Sequence, residues 1–302
     1  MTGQKIAEFS IPTVKSYPAG ITAGPDGALW FTESGGNKIG RVTTAGAVTE
    51  FALPNAKSDP EGITAGPDGA LWFTEGDANK IGRITLDGQV SEYPLQSPQS
   101  QPSEITAGPD KAMWFTQFQG HQIGRITTAG RITEVAIPSN TSLGITAGPD
   151  GALWFTETQI FGASPGDDVG QLTTGGSVTT FVVPTANSSP LGIIAGPDGA
   201  LWFTEHNANK IGRVTTRGSV TDFAIPTPAT HPHAIAKGQD GALWFTEYDA
   251  SQIGRITTAG AVTEFKVPTQ NGAPSGIASG PDGALWFTEH NGNKIGRIST
   301  EE

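Results

Sequence analysis

The stretch Ala28-Leu29-Trp30-Phe31-Thr32-Glu33 decides the fold, because it returns six more times along the chain with little change. Its copies hold all seven tryptophans, Trp30, Trp72, Trp114, Trp154, Trp202, Trp244 and Trp286, at spacings of 42, 42, 40, 48, 42 and 42 residues. A period of about 40–45 residues built from short strand-like runs predicts a β-propeller with one four-stranded blade per repeat. The expected fold is therefore all-β: a seven-bladed propeller of antiparallel blades, one domain over residues 1–302.

The flanking residues fill in the blade. Gly20-Ile21-Thr22-Ala23 is small and β-branched, as a crowded innermost strand requires. Gly24-Pro25-Asp26-Gly27 is a tight turn, with proline pre-setting φ and Gly27 accepting a positive φ. In the second strand, alternation sends Leu29 and Phe31 to one face and Ala28, Trp30 and Thr32 to the other. A polar loop, residues 34–37, leads to the third strand, Lys38 to Thr43. Its repeated glycine, Gly40, is expected to make room for a tryptophan ring or a neighbouring backbone. Thr44-Ala45-Gly46 then turns into the outer strand. Lys5 to Ile11 reads as another outer strand, and the chain ends on a third strand, Lys294 to Thr300. The N-terminal strand is thus expected to complete the seventh blade and close the ring, removing exposed edges.

Composition narrows the partners. A net charge of −11 and a pI near 4.9 disfavour nucleic acid and anionic membranes. No apolar run approaches the ~20 residues of a membrane span. With no cysteine, disulfides and thiolate metal sites are excluded, and redox compartment is not legible. The N-terminus shows no signal region, so either a cytoplasmic protein or a mature secreted form is expected. A small-molecule ligand and a monomeric state are expected.

The repeats also act as an internal control. The Gly-Pro-Asp-Gly and Thr-Ala-Gly turns, on one face of the ring, barely vary, and turn chemistry accounts for Asp26 and its equivalents. The opposite face carries the differences: His121, His206 and His290 in second-to-third-strand loops, and His231 and His233 in an outer-to-inner loop. Phe118, Tyr248, Asp77, Asp249 and the fourth-blade insertion Thr158 to Asp168 fall there too. Loops on a rigid scaffold are the usual carriers of function. Just before each inner strand, where a side chain reaches the channel mouth, the blades read Ala19, Glu61, Ser103, Leu143, Leu191, His233 and Ser275. Glu61 and His233 are the ionisable members, and a histidine there suits proton transfer. His206, His233, Tyr248, Ser275 and His290 are expected to cluster in one sector of the rim.

The repeat Ile-Thr-Ala-Gly-Pro-Asp-Gly-Ala-Leu-Trp-Phe-Thr-Glu, then Asn-Lys-Ile-Gly-Arg, Val-Thr-Glu-Phe and Ile-Pro-Thr, resembles the virginiamycin B (streptogramin B) lyase family over the whole chain. That resemblance implies a seven-bladed propeller that opens the ester ring of cyclic depsipeptides by elimination, with Mg2+ assisting. It implies catalytic or metal-binding roles for His233, within Pro232-His233-Ala234-Ile235, and for Glu289 or His290 after the seventh-blade Trp-Phe. Glu289 is the implied metal ligand. Substrate contacts would come from Glu61, His206, His231, Tyr248 and Ser275. Departures are specific. Ala273-Pro274-Ser275-Gly276 stands where the family has Glu-Pro-His-Gly, and Ala19 replaces an aromatic residue.

Two functional classes follow. One is a carbon–oxygen lyase using His233 with Glu289 or His290. The other is a non-catalytic propeller that binds a small molecule, peptide or glycan on its histidine-bearing face. A sugar-lactone hydrolase and a consensus-like stable scaffold rank below both. The closure reading has a direct check: removing residues 1–12 should lower the melting temperature sharply, and an unchanged melt would refute it.

Overall fold

The computed structural model describes residues 6–137, 142–158 and 167–300. Seven four-stranded antiparallel sheets, each a blade, are arranged around a central channel. In the first blade the strands are Pro18–Ala23, Leu29–Glu33, Lys38–Val42 and Val48–Ala52, in that order from the channel outward. The seventh blade closes as expected. Ile6–Ser10 pairs with Lys294–Ile298, and Phe9 then stacks on Trp286 with ring centroids 5.4 Å apart. None of the described residues forms a helix long and apolar enough to cross a membrane.

Blade packing follows the alternation. Leu29 and Phe31 pack against Trp286 and Ile295 of the seventh blade, while Trp30 and Ile39 pack against Leu71 and Phe73 of the second. Every tryptophan is sealed from solvent. Trp30 Nε1 donates to Asp26 Oδ1 at 3.1 Å, and Asp26 Oδ2 accepts from Arg41 Nε at 2.6 Å. The Arg41 guanidinium lies 5.9 Å from the centroid of the same indole. The turn aspartate therefore ties a buried indole N–H to a surface cation. The fourth blade keeps the link with Gln171 in place of arginine.

One expectation is corrected. Gly40 makes room neither for a tryptophan nor for a neighbouring backbone: an added Cβ would lie 2.1 Å from Cζ of Phe31 on the adjoining strand. The tryptophan ring is admitted instead by Gly24, where a Cβ would lie 2.5 Å from Trp30 Cδ1.

The repeat threonine organises the channel. Each inner strand bulges by one residue, between Pro18 and Ile21 in the first blade. Thr32 Oγ1 accepts from the bulge amide of Gly20 at 2.9 Å and donates to the Glu61 carbonyl of the next blade at 2.6 Å. All seven blades repeat the pair of bonds, and Thr288 returns the last one to Ala19 at 2.7 Å. The result is a closed belt of hydroxyls joining every blade to the next.

The repeat glutamates are buried more severely. Glu33, Glu75, Glu205, Glu247 and Glu289 are fully sealed. Both carboxylate oxygens of Glu33, Glu75, Glu205 and Glu289 lack a hydrogen bond of normal geometry among the described residues. Burial pushes Glu33 and Glu247 up to about 8 and Glu75, Glu205 and Glu289 up to about 7. The third blade shows the neutral form: Gln117 Nε2 donates to Glu134 Oε1 at 3.1 Å.

Because these carboxyls bind protons more tightly folded than unfolded, their contribution is full below the ordinary glutamate value of 4.5 and is lost as pH rises through 7–8. The melting temperature should therefore fall from about pH 5 to about pH 9. Replacing the five glutamates by glutamine, as at Gln117, should flatten that slope. A melting curve that rises with pH over this window, or a variant with the parent slope, would contradict the protonated state.

Candidate functional site

The bulge that the threonines hold is also what aims the candidate side chains. Its first residue is Ala19, Glu61, Ser103, Leu143, Leu191, His233 or Ser275, according to blade. A bulge re-aims side chains out of the regular alternation, and here it turns them into the channel mouth. Just before it, Tyr17, Asp59, Gln101, Ser189, His231 and Ala273 all have φ between 46° and 51°. That left-handed backbone recurs from blade to blade, so it belongs to the scaffold rather than to one catalytic position.

The first residues of the bulges line a funnel of about 660 Å3, a volume typical of small-molecule sites. Its two sides differ chemically. One side carries an arc of rings. His290 lies 6.3 Å from Tyr248, Tyr248 5.9 Å from His233, and His233 6.4 Å from His206, while Tyr17, off the wall itself, lies 5.2 Å from His290. His231 backs His206 at 4.9 Å, and its Nδ1 lies 2.5 Å from Asp249 Oδ2. The other side carries acids: Asp59, Glu61 and Glu104.

Electrostatics favour the neutral forms of His233, His206 and His290. Burial, reinforced by His206, holds His233 down to about 4. Burial likewise lowers His206 and His290. His233 Nδ1 is sealed from solvent and no hydrogen bond of normal geometry reaches it among the described residues. The acids move the other way. Burial is the main cause for Glu61 and for Glu104, both pushed up to about 7, and for Asp59, which is also raised by Asp77. Glu104 is open to the funnel space itself, but the enclosing walls strip away much of its hydration.

The structure brings together Glu61, His206, His233, Tyr248, Ser275 and His290 on the funnel wall. His231 stands one layer behind. Glu289 is not on the wall: it is fully buried in the seventh blade, beside Glu8, Thr269 and Lys294, in the place that Glu33 takes in the first. His121 also lies off the funnel. Residues 159–166 of the fourth-blade insertion lie outside the described residues. Sequence reading passed over Glu104, Asp59 and Tyr17. Glu104 had a signal, since its repeat position is otherwise glycine or alanine.

Comparison with known proteins places this geometry. The model of the virginiamycin B lyase family matches residues 1–161 and 144–302, together the whole chain. The chain belongs to the virginiamycin B lyase family. A streptogramin B lyase structure is 41% identical, covers 98% of this chain and 97% of its own, and superposes with a TM-score of 0.92. Virginiamycin B lyase from Staphylococcus aureus is also 41% identical, with 99% and 100% covered and a TM-score of 0.92. A catalytically inactive histidine-to-alanine variant of that enzyme, solved with quinupristin, matches equally well. A virginiamycin B lyase from Bacillus licheniformis is 47% identical over 44 residues, a stretch spanning 15% of this chain and 15% of that protein's length.

The magnesium ion that the family implies does not fit this donor set. Among the described residues no three His, Cys, Asp or Glu side chains are grouped to hold a metal, and the expected ligand Glu289 is sealed off the funnel.

Proposed function

We propose that the funnel binds a cyclic ester of the depsipeptide type and opens it by elimination, with His233 as the proton acceptor. The observation that carries this reading is His233 itself. It sits on the bulge facing the funnel, within the Pro232-His233-Ala234-Ile235 segment that resembles the family's, and burial keeps its ring neutral and able to accept a proton. In the step, His233 takes the proton on the carbon next to the amide carbonyl. That electron pair forms the carbon–carbon double bond as the ester C–O bond breaks and the carboxylate leaves. Tyr248 and His290 flank His233 and would orient the ring. Nothing in the step is routed through a metal.

A second reading rests on Ser275. It stands where the family has a histidine, and a serine hydroxyl is a far poorer proton acceptor than an imidazole. On this reading the funnel binds the same class of ligand without opening it. Tyr248, His206 and His290 would then serve only as contact surface.

Mass spectrometry of a type B streptogramin incubated with the protein separates the two. Lyase action predicts a linear product of unchanged mass and altered retention, carrying a dehydrated threonine. His233→Ala should lower its rate by about 10²-fold or more. Unaltered substrate at high protein concentration would remove the lyase reading, while full activity in His233→Ala would remove the residue assignment.

A further inference from the structure

The inner-strand bulge obeys a rule that one blade breaks. Its second residue is Gly20, Gly62, Gly144, Gly192, Ala234 or Gly276 in six blades and Glu104 in the third. The glycines answer a steric demand. An added Cβ would lie 2.5 Å from the Glu61 carbonyl oxygen at Gly20, 2.2 Å from that of Leu191 at Gly144 and 2.3 Å from that of Ala19 at Gly276. A glutamate in this crowded register is a departure that scaffold needs do not explain.

The side chain of Glu104 turns back toward the second blade. Its Oε2 lies over Gly62, 2.9 Å from where a Cβ of that residue would stand. Glu61, next to Gly62, reaches the opposite way, and its Oε2 accepts from Ser103 Oγ at 2.8 Å. Two acids of adjacent blades therefore cross at one point of the funnel wall. Burial and the Glu61 charge raise Glu104, burial with Asp59 and Asp77 raises Glu61, and no lysine or arginine is among the groups that act on either carboxyl. Across the funnel stands an independent sign of an absent partner. Ser275 is only 6% exposed and lines the same cavity, and its hydroxyl has no hydrogen-bond partner among the described residues.

We infer that Glu61 and Glu104 form a subsite for a protonated amine on the bound ligand, with the Ser275 hydroxyl engaging the same molecule from across the funnel. The inference rests on the funnel being the ligand site, and it names a chemical feature of the ligand that the lyase reading does not require. An ammonium fits the pair better than a metal ion does. It brings three N–H donors to carboxylate acceptors, in charge-assisted bonds. A metal would need further donors, and no third His, Cys, Asp or Glu is grouped with these two among the described residues. Asp59 and Asp77, on the adjoining loops, extend the negative potential outward from the pair, and the net charge of −11 favours approach of a cation.

Calorimetric titration with benzylamine and with benzyl alcohol tests the subsite without any turnover. At about pH 8, where the amine is protonated and the carboxyls ionise, the intact protein should bind benzylamine at least about tenfold more tightly than the alcohol. Glu104→Gly, which restores the residue of five other blades, and Glu104→Gln should each bring the two probes within about twofold. Equal binding of both probes by the intact protein, or a preference kept in Glu104→Gly, would overturn the inference. So would saturable binding of magnesium chloride alone that displaces benzylamine. Depsipeptide opening without amine preference would sink the subsite alone. Amine preference without opening would support the subsite and count only against the lyase reading.

Discussion

The threonine of the Trp-Phe-Thr-Glu repeat makes the bond on which the rest of the structure depends. Its hydroxyl accepts from the bulge amide of its own blade and donates to the bulge carbonyl of the next, seven times around the channel. A bulge leaves backbone groups that the ladder does not pair, and burying such groups unpaired costs about 1–3 kcal/mol each. One side chain satisfies two of them and links two blades. The aromatic core could tolerate some repacking, but no apolar substitute reproduces this connection. Because the same bulge carries Glu61, His233 and Ser275, the belt that holds the ring also sets the position of the site.

Most of the architecture was legible because it is repeated. Seven tryptophans at a nearly constant period give the blades, and a lone third strand at one end with an outer strand at the other gives the closure. The chemistry was less legible, for physical reasons. Glu289 looked special only when compared with a catalytic pattern; against the repeat it is the sealed partner of Glu33, Glu75 and Glu205. Gly40 and Gly24 are equally glycine in sequence, and only side-chain direction shows that a phenylalanine fills the first space and a tryptophan the second. Glu104 lies one residue beyond the position that seemed to face the channel. The bulge makes both residues face it, and an alternation rule cannot anticipate a bulge.

The funnel that results is polarised. His206, His233, His290 and Tyr248 occupy one side, and Glu61 and Glu104, carboxyls pushed up to about 7, occupy the other. In the family pattern the seventh blade would bring a histidine to this space; here it brings Ser275. The groups whose proton affinity matches neutral pH are accordingly Glu61 and Glu104, while His233 is neutral but weakly basic.

Native-state hydrogen exchange measured residue by residue addresses the threonine belt most directly. If the belt holds the bulges, the amides of Gly20, Gly62, Glu104, Gly144, Gly192, Ala234 and Gly276 should exchange only through global unfolding, as slowly as those of the Leu-Trp-Phe strands. Exchange of these seven amides at loop-like rates, with the strands still protected, would show that the blades are joined by something else.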